Sequence, residues 1–324
     1  MSTAAVLDRP PTLLPDTQQQ QQGADLATLP EETSAEAGRR EEIIDVHCGW
    51  GATTTAPEWN RVAVVEDALR ERGISLAFVA SRLARHFDPP EGNAQIAPLA
   101  PNGYGTPGSA TLLRGWLVVQ PDRPAEAAAQ MRRHLYHSES FIGLALYPDA
   151  VSGRPITLRQ TQDLLNAYRR FAKPLLIQAP TGEAMRHVGE IAREYSNMRV
   201  IASGMGGDDW REAADVAVKP LNLYLDISGA LCSEKIIYAI EHLHGARKLL
   251  FASGAPDTDP AAVLGMLDDL DISPDDRARI LSNNAQRLFQ LQNTDAVQGS
   301  DLRFLSPEPA VDPDAPHLGN LDEG

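Results

Sequence analysis

FIGLALYPDAVSGRPITLRQTQDLLNAYRRFAKPLLIQAPTGEAMRHVGEIAREYSNMRVIAS, residues 141–203, holds three short apolar runs separated by two longer amphipathic stretches. The runs are FIGLALY (141–147), PLLIQA (174–179) and RVIAS (199–203). They are continuously apolar and do not alternate, as strands buried on both faces of a parallel sheet require. TLRQTQDLLNAYRRFA (157–172) and EAMRHVGEIAREY (183–195) carry apolar residues at helical spacing. Strand, helix, strand, helix, strand is the repeat of an α/β fold.

The same rhythm continues in both directions. EIIDVHC (42–48), ISLAFVAS (74–81) and LRGWLVVQ (113–120) precede this stretch, and LYLDIS (223–228) and KLLFASG (248–254) follow it, which makes eight strands. Amphipathic stretches at 61–73, 124–135, 209–218 and 234–245 lie between them and another, at 260–270, follows the last, the first being stopped by Gly73. Eight alternating units predict a single-domain α/β fold of the (β/α)₈ TIM-barrel type, which takes about 250 residues. The chain has 324 residues, so a barrel over 41–293 leaves two tails. Residues 1–40 are rich in Gln, Pro, Thr and Glu and read as a disordered N-terminal segment. Residues 294–324 read as an acidic, Pro-rich C-terminal tail, with Leu302, Phe304 and Leu305 as its one candidate docking segment. Residues 89–111, rich in Pro and Gly, read as a long loop after the second strand and a candidate lid.

Formal net charge is −15, and both tails are net acidic. Nothing in that distribution attracts phosphate backbones, so nucleic acid and anionic membranes are not expected partners. No run of 18 apolar residues exists, which argues against a transmembrane helix. The first residues lack the basic start and apolar stretch of a secretory signal, and the only cysteines are Cys48 and Cys232. A cytoplasmic location is the expectation.

Several short strings, in order, carry a resemblance. They are Asp45-Val46-His47 on the first strand, Gly143 to Pro148 on the fourth and Lys173 to Gln178 on the fifth. Val200 to Gly207, Leu223 to Ser228 and Phe251 to Pro256 follow on strands six to eight, and Ile280 to Phe289 on a last helix. From about residue 42 to 291 the chain resembles the amidohydrolase-related branch of the amidohydrolase superfamily, which includes hydrolases and aromatic-acid decarboxylases. The resemblance implies a metal site at the strand ends. It would comprise Asp-x-His-x-His on the first strand, a His on each of the fifth and sixth, an Asp on the eighth and, in some members, a Lys on the fourth. A metal there lowers the pKa of bound water from 15.7 to about 7.

This sequence keeps Asp45 and His47 from that set. At the other positions stand Gly49, Gln178, Gly204, Gly254 and Ala145. An open zinc site wants about three protein ligands, so no metal cofactor is expected, zinc or another divalent ion being the group the resemblance implies. Asp45 and His47 read either as packing remnants, with Asp45 fixing the His47 tautomer, or as a residual acid–base pair. Trp50, Tyr147, Gln178, Ser203, Gly204, Ser228 and Gly254 are the candidate pocket residues. Three functions stay open: a non-catalytic partner or regulatory subunit of an intact amidohydrolase homologue, in a homodimer or heterodimer; a hydrolase or lyase working through Asp45 and His47 without the usual metal; or a protein that binds a small molecule or peptide in the emptied pocket.

Overall fold

Residues 41–99, 112–136, 140–148 and 152–291 are described in the computed structural model of the chain. The eight expected strands form β1 (Ile43–Trp50), β2 (Ile74–Ser81), β3 (Leu112–Val118), β4 (Phe141–Leu146), β5 (Leu175–Gln178), β6 (Val200–Ser203), β7 (Leu223–Asp226) and β8 (Leu249–Leu250). Each pairs in parallel with the next, in the order β1 to β8. The seam between β8 and β1 is irregular but bonded. Val46 N–H donates to the Phe251 carbonyl (3.0 Å) and Gly254 N–H to the His47 carbonyl (3.1 Å). The result is the (β/α)₈ barrel.

The helices follow the amphipathic stretches. They are α1 (Val62–Glu71), α2 (Arg82–His86), α3 (Pro89–Ile96), α4 (Pro124–Leu135), α5 (Leu158–Tyr168) and α6 (Gly182–Glu194), then α7 (Trp210–Ala217), α8 (Glu234–His242), α9 (Pro260–Asp268), α10 (Pro274–Ala278) and α11 (Asn284–Phe289). Local chemistry starts them: Thr157 and Gln160 form a reciprocal capping box on α5, and Ser273 and Asp259 cap α10 and α9. No helix among the described residues is long and apolar enough to cross a membrane.

Two departures from the sequence reading have clear causes. Residues 89–96 are a helix, not a loop. The Asp88 carboxylate accepts from Glu91 N–H (3.0 Å), and prolines occupy the first turn, where their missing N–H costs nothing. The helix then runs away from the barrel mouth: the Ala97 carbonyl accepts from Ser140 Oγ (2.9 Å), just before β4 begins. So 89–99 provides no lid over the strand ends, while 100–111 lies outside the described residues, as do the head 1–40 and the tail from 294. The second departure is in β1. Its pairing with β2 is irregular between Asp45 and Cys48. Such an irregularity flips the alternation of side chains. Ile44 and Val46 face the barrel interior, whereas Cys48 and Trp50 join the layer between sheet and helices.

The N-terminal end of the barrel is closed by α11. Its Phe289 ring lies 4.5 Å from that of Phe78 and 5.8 Å from that of Trp116. Asn284 Nδ2 fixes the helix by donating to the Ala246 and Leu249 carbonyls (2.7 Å each). The open end is the C-terminal one, where barrels of this kind keep their sites.

Candidate functional site

At that end a cavity of about 220 Å³ opens. β1 contributes His47 and Gly49, β5 Gln178, β6 and its turn Ser203 and Gly204, and the loops after β7 and β8 Ser228 and Gly254. Tyr147, just past β4, completes the wall. The cavity therefore gathers most of the positions read as pocket residues from the sequence. Trp50 is the exception: buried in the layer outside the sheet, it does not line the cavity.

His47 sits on the cavity floor, 8% exposed. Its Nε2 is 2.8 Å from the Tyr147 hydroxyl. Its Nδ1 is 2.7 Å from Ser203 Oγ and 3.6 Å from Asp226 Oδ2. Asp226 ends β7 and is fully buried. Its Oδ1 accepts from Gly204 N–H (2.9 Å), Ser228 N–H (3.2 Å) and Ser228 Oγ (2.5 Å). Its Oδ2 has no hydrogen-bond partner. A buried carboxylate oxygen left that way is costly, and Nδ1 of His47 is the donor within reach. The carboxylate thus favours the tautomer with the proton on Nδ1. Nε2 is then free to accept from the phenol. Burial alone would raise the Asp226 pKa. The His47 ring beside it, with Gly204 N–H and Ser228, outweighs burial and holds the carboxyl below the usual range. Burial pushes the Tyr147 phenol well above its ordinary value, with Arg85 opposing and Asp226 adding to the rise.

Asp45 does not touch the His47 ring. Its Oδ1 accepts from the backbone N–H groups of His47 and Ser253 (3.1 Å each), and its Oδ2 from the Cys48 thiol (2.9 Å). It ties β1 to the segment after β8, so the orienting role read for Asp45 belongs to Asp226. Burial raises the Asp45 carboxyl pKa against these hydrogen bonds, and burial with the Asp45 charge raises that of the Cys48 thiol.

Cations frame the cavity. α2, whose N-terminus is capped by Ser81 Oγ accepting from Ala84 N–H (3.2 Å), carries Arg82 and Arg85 on one face. Arg82 pairs with Asp257 (2.6 Å). Arg85 lies 4.6 Å from the centre of the Tyr147 ring and donates to Gln178 Oε1 (2.9 Å). Behind the wall, the fully buried Lys235 donates to the carbonyls of Ile227 (2.6 Å), Ser228 (3.1 Å) and Ala230 (2.6 Å). It fixes the loop after β7. Burial lowers its pKa to about 8, with Asp226 opposing.

Asp226, Arg85 and Lys235 are the residues the sequence reading missed. The signal for Asp226 was present: an acid closing the apolar run of a strand predicted to end at a barrel mouth. Arg85 and Lys235 had no such signal, since both sit among ordinary helix residues.

An eight-stranded barrel with a polar cavity at its C-terminal mouth is the frame of the amidohydrolases. The amidohydrolase family model matches residues 109–291, and the chain belongs to that family. Solved structures share the fold. The 5-carboxyvanillate decarboxylase of Novosphingobium aromaticivorans DSM 12444, with manganese and 4-hydroxy-3-methoxy-5-nitrobenzoic acid, is 15% identical, with a TM-score of 0.58 over 77% of this chain and 96% of that one. The dihydroxybenzoic acid decarboxylase of Polaromonas sp. JS666, with manganese and 2-nitroresorcinol, is 17% identical, with a TM-score of 0.56 over 77% and 97%. The 2,6-dihydroxybenzoate decarboxylase from Rhizobium is 14% identical, with a TM-score of 0.56 over 77% and 99%. No curated protein sequence matches the chain.

Proposed function

We propose that this chain is an amidohydrolase-family lyase or hydrolase that works on a small carboxylate without a metal centre, through acid–base chemistry at His47. The observation that carries the reading is the single chain of contacts Asp226–His47–Tyr147, which runs from a buried carboxylate to the cavity wall. Asp226 sets the ring proton on Nδ1. Nε2 exchanges a proton with the Tyr147 hydroxyl, which faces the cavity and passes it to or from the ligand. Arg85, beside Tyr147, supplies the guanidinium that a carboxylate needs. Two of the neighbours that share the fold hold aromatic ligands beside manganese, one of them a benzoic acid.

The divalent ion those neighbours hold does not fit the donors present here. Both His47 nitrogens are engaged within the chain, and the Gln178 amide oxygen already accepts from a cation. Arg85, which pairs with no carboxylate among the described residues, lines the same cavity and repels an ion of like charge. Gly204 and Gly254 have φ of +83° and +70°, a left-handed backbone in which a His or Asp side chain is strained. Among the described residues no three His, Cys, Asp or Glu side chains gather as a metal site.

The engagement of both His47 nitrogens also favours a second reading, a non-catalytic partner of an intact homologue. One experiment separates the two. 2,6-Dihydroxybenzoate and 4-hydroxy-3-methoxy-5-nitrobenzoic acid are titrated calorimetrically and followed for release of carbon dioxide, with the wild type, His47→Gln and Arg85→Gln. Acid–base catalysis predicts turnover that falls about 10²–10⁴-fold in His47→Gln. Binding should weaken about tenfold or more in Arg85→Gln, the loss of a charged hydrogen bond. Turnover by the wild type that His47→Gln leaves unchanged, or none at all with metal-free protein, overturns the catalytic reading.

A further inference from the structure

A second cavity, of about 250 Å³, lies beside the first, at the ends of β3 and β4. Arg85 and Tyr147 line both cavities. Its other polar residues are Gln120, Asp122, Arg154 and Gln160. Arg154 stands in the loop before α5, with its Nε donating to Ser152 Oγ (3.2 Å). Neither Arg85 nor Arg154 pairs with a carboxylate among the described residues. Carboxylates hold Arg82 (Asp257), Arg72 (Asp259) and Arg277 (Glu41 and Asp268) at 2.6–3.1 Å. What sets Arg85 and Arg154 apart is that both line one cavity, where they are placed to meet an anion from outside the chain.

We propose that this second cavity is a binding site for a small oxyanion, a carboxylate or a phosphate, held between Arg154 and Arg85 and distinct from the mouth cavity. Two forked guanidinium donors suit either oxyanion. The side-chain amides of Gln120 and Gln160 supply further neutral donors, and Ile156 and the prolines at 121, 148 and 155 supply apolar walls. Asp122 is the one acid on the lining, and it is exposed, so water screens its charge.

Because Arg85 serves both cavities, the two sites are coupled. An anion in the second cavity draws the guanidinium from Gln178 and from the Tyr147 ring, and so weakens the hold on a carboxylate at the mouth. The coupling is reciprocal for the two binding affinities. This part rests on the mouth cavity taking a carboxylate, as proposed above; the second anion site itself does not.

Full-length protein is titrated calorimetrically with inorganic phosphate and, separately, with acetate, in the wild type, Arg154→Gln, Gln160→Ala and Arg85→Gln. Arg154 is exposed, so its variant keeps the fold; Gln160→Ala also loses the α5 capping box, so a melting curve accompanies it. Two classes of site are expected in the wild type. Arg154→Gln should weaken one class tenfold or more and spare the other, Gln160→Ala should weaken that same class, and Arg85→Gln should weaken both. Whether phosphate or acetate fills the Arg154-dependent class identifies the natural oxyanion chemistry. A single class that Arg154→Gln abolishes would support the second cavity and overturn the reading of the mouth. Isotherms for both anions that Arg154→Gln leaves unchanged overturn the second site, whatever happens at the mouth.

Discussion

Asp226 leaves Oδ2 without a hydrogen-bond partner, 3.6 Å from Nδ1 of His47. If that carboxylate fixes the tautomer, Asp226→Asn, which can present an amide N–H there, should reverse it. Nitrogen-15 NMR of the His47 ring is expected to show a protonated Nδ1 in the wild type and a protonated Nε2 in the variant. An unchanged ring would remove Asp226 from its role. The pH dependence has a definite sign. The Asp226 carboxyl is held below its unfolded value, so its contribution to stability is present at neutral pH and lost as pH falls through the lowered value. Lys235 gives a slope of the same sign at the alkaline end, where a rise in pH relieves the cost of burying its charge. Its pKa falls from 10.5 unfolded to about 8 folded, so the unfolded chain binds more protons between those values and stability rises with pH there. At roughly 1.4 kcal/mol per unit, the full effect is about 3 kcal/mol. Urea denaturation should therefore show the wild type gaining on Lys235→Met between pH 7 and pH 10. Equal gaps at the two pH values would contradict the burial of a charged Lys235.

At the scale of elements, most of the fold was legible because buried parallel strands and amphipathic helices leave periodic signals. β2 and α4 begin and end where the apolar run 74–81 and the amphipathic stretch 124–135 said they would. The parts that were not legible are those where tertiary contacts overrule composition. Pro89, Pro90 and Gly92 read as loop residues, yet they build α3. Gly92 is needed there because a Cβ would overlap the backbone nitrogen and Cβ of Ala84 and the Ser81 hydroxyl. α3 and α2 thus pack backbone to backbone, and α2 carries Arg82 and Arg85 into the site. Gly92→Ala is expected to destabilise the protein by about 2–3 kcal/mol, the range for overpacking in a filled interior. It should also weaken anion binding at Arg85, which a calorimetric titration of acetate measures. A loss of stability with unchanged binding would show that the packing of α3 on α2 does not set the arginine. The irregular step in β1 was equally silent in the sequence. It sends His47 inward and Trp50 outward, and nothing in Asp45-Val-His-Cys-Gly-Trp50 announces it.

Across the whole barrel the two ends have different tasks. α11 and Phe289 fill the N-terminal end, while the C-terminal end keeps a cavity ringed by glycines at 49, 204 and 254. The sequence reading placed Tyr147, Gln178, Gly204 and Gly254 at this mouth but not Asp226 or Arg85, which meet His47 and its surroundings only through the closure of the barrel. Glycines with a left-handed backbone, a Gln178 oxygen taken by Arg85 and a His47 ring engaged on both edges describe a mouth organised around hydrogen bonds and cations. The direct measurement is the metal content of purified full-length protein, by elemental analysis after dialysis against a weak chelator, alongside carboxylate turnover by the same sample. Much less than one divalent ion per chain, with turnover retained, is the expected result. One equivalent of zinc or manganese that survives dialysis, with activity lost when it is stripped and restored when it is returned, would contradict it.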